Sequence, residues 1–228
     1  MGGAGEGETL FSKRVSPSPA ERKTSMKLNL PNKLTVARLL LVPFILVFTI
    51  LPYSIWANAV ALVIFVAASL TDMLDGKIAR KYHLITDFGK FLDPLADKFM
   101  VIAAVFGLVC RGFREKDEWL FWVFMVMLIV TIFRELAVAS IRLVASGAGV
   151  VVPANMLGKV KTVTQMACII LALVEPVAHD LIGRAYPDFY FKGFYALTYL
   201  TAAVAIVFTV ISGVVYLKAY WKYLDPEK

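Results

Sequence analysis

Apolar residues gather into six long runs from Asn29 onward, separated by short polar stretches. Each run approaches the length a bilayer requires, about 20 residues of helix. The pattern predicts helices over 34–51, 54–75, 92–110, 119–145, 157–177 and 193–220. The sixth is the clearest, because no charge lies between Lys192 and Lys218. The third is the most polar, and its uncharged stretch from Phe99 to Cys110 is short. It spans only if Asp93 and Asp97 sit in its first turns. The expected fold class is therefore all-α, an integral membrane bundle of six transmembrane helices. Residues 29–222 form the membrane domain and 223–228 a short tail. Residues 1–28 are polar and rich in Gly, Ser, Pro and charge. They lack the apolar stretch of a signal peptide, and Glu6, Glu8 and Glu21 argue against a transit peptide. Glu6 also stands where a myristoylation signal wants Ser or Thr. This segment is read as a disordered leader or an extension, with Met26 a candidate natural start.

Composition sharpens the membrane reading. The 228 residues are 59% hydrophobic with a mean hydropathy of +0.72, well above a soluble domain. The net charge of +7 would suit nucleic acid in a soluble protein. Here the basic residues cluster at the ends of apolar runs, which favours anionic lipid and phosphate and excludes nucleic acid as the partner. Lys and Arg crowd the N-terminal arm, the connection between the second and third helices, the region between the fourth and fifth, and the C-terminal tail. By parity these share one side, which the positive-inside rule makes cytoplasmic. Both termini are then cytoplasmic. No internal repeat appears, which weighs against inverted-repeat transporter folds. Cys110 and Cys168 lie in apolar stretches without CxxC spacing and are expected only to pack. His83 and His179 have no partner at metal-ligand spacing, which argues against a zinc site or a Ser-His-Asp triad.

The chemistry concentrates in one stretch, D-x2-D-G-x2-A-R-x8-G-x3-D-x3-D, running from Asp72 to Asp97. Asp72 and Asp75 share a helix face at i, i+3, and Asp93 and Asp97 share one at i, i+4. The second helix descends to the cytoplasmic surface and the third rises from it, so the two pairs can face each other across the bundle. Carboxylates at membrane depth are costly and mark function. Four together repel unless a cation sits among them. Oxygen ligands without His or Cys favour Mg²⁺ or Mn²⁺. Two such ions about 4 Å apart suit displacement at phosphorus. Gly76 follows Asp72 by one turn, Ala79 follows Asp75, and Gly89 precedes Asp93, so small residues clear space beside the carboxylates. Arg80 adds a fork that can grip phosphate. A helix-terminal salt-bridge network with Lys77, Arg80, Lys90 and Lys98 is the plainer alternative. It leaves the small residues unexplained.

At every specified position this stretch resembles the CDP-alcohol phosphatidyltransferase signature. The resemblance implies a six-helix membrane enzyme, usually a homodimer, with two divalent cations, Mg²⁺ or Mn²⁺. It makes Asp72, Asp75, Asp93 and Asp97 the expected metal ligands and Gly76, Ala79, Arg80 and Gly89 CDP-binding positions. Asp97 becomes the candidate base for the acceptor hydroxyl, with Asp93 its catalytic neighbour. A metal-held carboxylate is a poor base, so positioning the hydroxyl is the larger expected role.

The acceptor is a separate question. Arg134, Arg142, Lys159 and Lys161 gather at the cytoplasmic ends of the fourth and fifth helices, where they would suit an acceptor that itself carries phosphate. The positive-inside rule alone is the alternative for the two lysines. Asn29-Leu30-Pro31-Asn32, with Leu34, Thr35 and Arg38, resembles the opening of the bacterial phosphatidylglycerophosphate synthase branch. So do Phe91 to Lys98, Arg134-Glu135, and Gly158-Lys159-Val160-Lys161-Thr162 with Gln165. The resemblance runs from Asn29 to the end of the sixth helix and is weaker across 175–195. It implies that Asn32 and Thr35 join the CDP site and Arg38 the acceptor-phosphate set. It also implies CDP-diacylglycerol and glycerol 3-phosphate as substrates, with the active site on the cytoplasmic face of a bacterial membrane. The expected reaction joins the phosphatidyl group to the 1-hydroxyl and releases CMP. Other acceptors (serine, phosphatidylglycerol or inositol phosphate) stay open, as do a divalent-cation transporter and a non-catalytic lipid-binding scaffold.

Overall fold

The computed structural model describes residues 29–82, 86–147, 149–150, 153, 156–186 and 195–221, apart from the side chains at 73, 75, 77, 79 and 80. The leader, the tail after Trp221 and His83 therefore lie outside the described residues. Six helices account for nearly all of them, and no strand occurs among them. They are α1 (Leu30–Ile50), α2 (Ile55–Lys81), α3 (Asp87–Glu115), α4 (Glu118–Gly147), α5 (Met156–Ala185) and α6 (Ala196–Tyr220).

Local chemistry sets the helix starts. Pro31 opens the first turn of α1, where its missing N–H is no loss. Ser54 caps α2 by accepting from the Ala57 amide at 3.0 Å. Thr86 caps α3 by accepting from the Gly89 amide at 3.0 Å, and it also receives the Asn32 side-chain amide at 2.9 Å. The start of α3 is thereby tied to α1. The third helix begins earlier and ends later than its apolar core suggests, because Asp87 and Arg114 both suit the ends they occupy. Asp93 and Asp97 therefore sit in its second and third turns. A two-residue turn joins α3 to α4, with Lys116 in the left-handed region at φ 57°.

Five helices are long and apolar enough to cross a membrane by length and composition: α1, Ile55–Asp72 of α2, α4, α5 and α6. α3 is not among them. Asp93, Asp97, Lys98, Arg111 and Arg114 lower its hydropathy, and protein covers it, since it packs against α1, α2, α4 and α5. Arg111, one residue past the helix end that the apolar pattern predicts, is 2% exposed within α3 and donates to the Thr49 and Phe48 carbonyls at the end of α1. The core joins Ile45, Phe65, Met100, Leu108, Phe124, Ile169 and Leu173 from five helices, with Ala202 and Ala205 completing it from α6. The outer faces carry exposed Leu, Val and Phe, as lipid contact requires. Exposed Trp56, Trp119 and Trp221 stand at helix ends, where aromatic rings meet the membrane interface.

Candidate active site

The α2–α3 and α4–α5 connections lie at one end of the bundle, and the polar side chains inside that end converge. α1 braces the aspartates. Arg38, 1% exposed, donates from Nη1 to Asp72 Oδ1 at 2.6 Å. One turn earlier the Thr35 hydroxyl donates to Asp93 Oδ1 at 2.5 Å. Arg38 thus belongs with the aspartates rather than with the lysines of α5. Asn32 holds the Thr86 cap, and Gly89 lies against it. A Cβ on Gly89 would stand 2.8 Å from Asn32 Oδ1, so the missing side chain lets α1 and α3 approach. Asp97 is partly exposed, but its Oδ1 is buried and has no hydrogen-bond partner. The charges of Asp72, Lys161, Arg38 and Glu135 all act on it, which puts carboxylates of α2 and α3 within electrostatic reach. Gly76 is half-buried on α2. The side chains of Asp75, Ala79 and Arg80 lie outside the described residues.

Among the described residues no three carboxylates converge as a ligand set by themselves. Two features nevertheless fit a cation. The donors are hard oxygens, and a buried, unpartnered carboxylate oxygen on Asp97 feels the negative charge of Asp72.

A cleft of about 90 Å³ opens beside Asp97, lined by Lys98, Thr131, Arg134, Glu135, Lys161 and Gln165 among others. Glu135 is the hub of this wall. Its carboxylate meets Lys161 Nζ at 2.8 Å, Arg134 Nη1 at 2.9 Å and Lys98 Nζ at 3.4 Å. Arg134 also donates from Nε and Nη2 to Ser212 Oγ of α6, at 3.1 and 2.7 Å. Arg134 and Lys161 therefore share the cleft. Lys159 is exposed and outside its lining, and Arg142 donates to the Tyr216 hydroxyl at 3.1–3.2 Å on the α4–α6 face. Glu135, Lys98 and Gln165 were not singled out as site residues from sequence. The available signal was an Arg-Glu pair placed inside an apolar run.

The profile of the CDP-alcohol phosphatidyltransferase family matches residues 28–215, which include both the aspartates and the cleft. The chain belongs to the CDP-alcohol phosphatidyltransferase family. A *Bacillus subtilis* (strain 168) member named CDP-diacylglycerol–glycerol-3-phosphate 3-phosphatidyltransferase is 39% identical over 211 residues, covering 87% of this chain and 98% of the relative. An *Arabidopsis thaliana* member, the same enzyme numbered 2, is 36% identical over 228 residues, covering 97% and 93%. A third relative, cardiolipin synthase (CMP-forming) of *Oryza sativa* subsp. *japonica*, is 37% identical over 221 residues, covering 93% of this chain and 63% of its own length.

Proposed function

We propose that this CDP-alcohol phosphatidyltransferase moves the phosphatidyl group of CDP-diacylglycerol to glycerol 3-phosphate, forming phosphatidylglycerol phosphate and CMP. The observation that carries the acceptor is the cleft itself, with Asp97 beside the paired cations Arg134 and Lys161. Relatives named for this reaction support it. The lipid tails would lie in the bilayer and the CDP group at the cytoplasmic surface. Asp72, Asp75, Asp93 and Asp97 would hold two divalent cations, Mg²⁺ or Mn²⁺, whose charge would neutralise the pyrophosphate and the departing CMP. Arg38 and Thr35 fix the Asp72 and Asp93 carboxylates from α1. Asn32, Gly76, Ala79, Arg80 and Gly89 would line the nucleotide side.

Arg134 and Lys161 would hold the acceptor phosphate, while Arg142 and Lys159 draw the anion toward the cleft. Asp97 would orient the 1-hydroxyl and receive its hydrogen bond. The hydroxyl oxygen then bonds to the phosphatidyl phosphorus. The bond from that phosphorus to the CMP oxygen breaks, and the hydroxyl proton passes through Asp97 to water. Most of the acceleration would come from positioning and charge stabilisation. The protein would cross a cytoplasmic membrane six times, with both termini and the site facing the cytosol, as a homodimer.

A second reading takes phosphatidylglycerol as acceptor, on the strength of the cardiolipin synthase relative. One assay separates them. CMP release from CDP-diacylglycerol is followed in detergent with Mg²⁺ or Mn²⁺, supplying one acceptor at a time. Release with glycerol 3-phosphate alone, abolished by EDTA, is the expected result. Release with phosphatidylglycerol alone would replace the acceptor, and no release with either would reject the proposed reaction.

A further inference from the structure

The cleft holds a second unspent hydrogen-bond acceptor besides Asp97. Gln165 of α5 is fully buried and lines the cleft with Asp97, Arg134 and Lys161. Its Nε2 donates to Thr131 Oγ1 of α4 at 2.6 Å and to Thr209 Oγ1 of α6 at 3.3 Å. Thr209 in turn donates its one proton to the Ala205 carbonyl at 2.6 Å. It has none left for Gln165, so toward the amide it can only accept. The structure places Nε2 on both threonine oxygens, and a reversed amide would set Oε1 against the Thr209 oxygen. The NH₂ faces the threonines. Oε1 is buried and has no hydrogen-bond partner. A buried amide carbonyl left in this state is costly unless a ligand or water completes it.

We infer that Gln165 is a specificity-determining residue whose Oε1 accepts a hydrogen bond from the hydroxyl adjacent to the reacting one, so that the cleft selects a vicinal diol. This rests on the phosphatidyl-transfer reading above and adds a determinant to it. Glycerol 3-phosphate carries a reacting hydroxyl, a second hydroxyl and a phosphate on three successive carbons. The cleft offers them Asp97, Gln165 and the Arg134–Lys161 pair. The threonines on either side hold the amide from α4 and α6, so the acceptor atom is positioned before the substrate arrives.

The test compares glycerol 3-phosphate with 3-hydroxypropyl phosphate, which keeps the reacting hydroxyl and the phosphate but lacks the middle hydroxyl. Wild-type kcat/KM is expected to favour glycerol 3-phosphate by at least about tenfold, because the analogue leaves Oε1 unpaired. In Gln165→Met the ratio should fall to within about threefold, through loss of rate with glycerol 3-phosphate. A wild-type ratio near one, as expected if water alone completes Oε1, would overturn the inference. So would a Gln165→Met enzyme that keeps the wild-type ratio. Should that variant fail to fold, Thr131→Val decides, since it loosens the amide while leaving Gln165 in place. Its ratio should fall part-way, and an unchanged ratio overturns the inference. CMP release from wild type without discrimination removes only this inference. Absence of release with every acceptor removes the transferase reading and this inference together.

Discussion

Glu135 meets three cations from three helices, Lys98 of α3, Arg134 of α4 and Lys161 of α5. One carboxylate cannot neutralise three positive charges, so the cluster retains a surplus suited to an anionic substrate. Lys161 depends on this partner most, because it is 5% exposed. Glu135→Ala is expected to cost about 3–5 kcal/mol by leaving that ammonium buried and unpaired. The loss would appear as a lower melting temperature of the purified protein. Glu135→Ala combined with Lys161→Met should recover part of it, and a double variant no more stable than the single would refute the coupling. At the aspartates, Asp93→Asn should cut turnover by at least about 100-fold while the protein still folds. Wild-type rates in that variant would rule out the proposed carboxylate site.

Two helix contacts set the spacing on which these residues depend. α1 carries Thr35 and Arg38 to the aspartates, and it reaches them because α3 is thin where they cross. A Cβ on Gly107 would fall 1.9 Å from Thr49 Oγ1. Gly107→Ala should therefore push α1 outward, destabilise the protein by about 1–3 kcal/mol and lower activity at the far-off aspartates. Thr49→Ala in the same chain should restore much of both, and a failure to restore either would show that Thr49 is not the obstacle. At the same end of the bundle as Thr49, Glu175 of α5 accepts from the Leu197 and Thr198 amides at 3.1 and 2.8 Å. It supplies the cap that Tyr195, the residue before α6, does not. Residues 175–195 had no functional reading in the sequence. Glu175 gives that region a structural one, through a contact with no local sequence signal.

Across the whole molecule, the six helices and the aspartate pattern were legible because apolar run length and i, i+3 or i, i+4 spacing are local properties. What was hidden depends on neighbours. Arg111 looked like loop charge because nothing local announces the α1 carbonyls that bury it. Arg38 was expected at the acceptor phosphate, and in the structure it pairs with Asp72 from another helix. Gln165 gave no hint of its two threonines. The proposed topology is open to direct measurement. A single cysteine at Lys116, in a background without Cys110 and Cys168, should react with an impermeant maleimide added to intact cells. One at Lys159 should react only after the membrane is opened. The reverse pattern would invert the orientation.

The composition of α3 has a consequence for how the chain enters the bilayer during synthesis. This helix carries Asp93 and Asp97 and falls short of the hydropathy of the other five. Released alone into lipid, it would expose those charges before any partner could cover them. Its two-residue turn ties it to α4, whose most apolar 18-residue window has a mean hydropathy of 2.1 and is well suited to insertion. α3 and α4 would then enter as one hairpin, with α1 already in place to receive Arg111 and to present Thr35. The aspartates proposed to serve the chemistry would make their own helix a dependent passenger at the translocon.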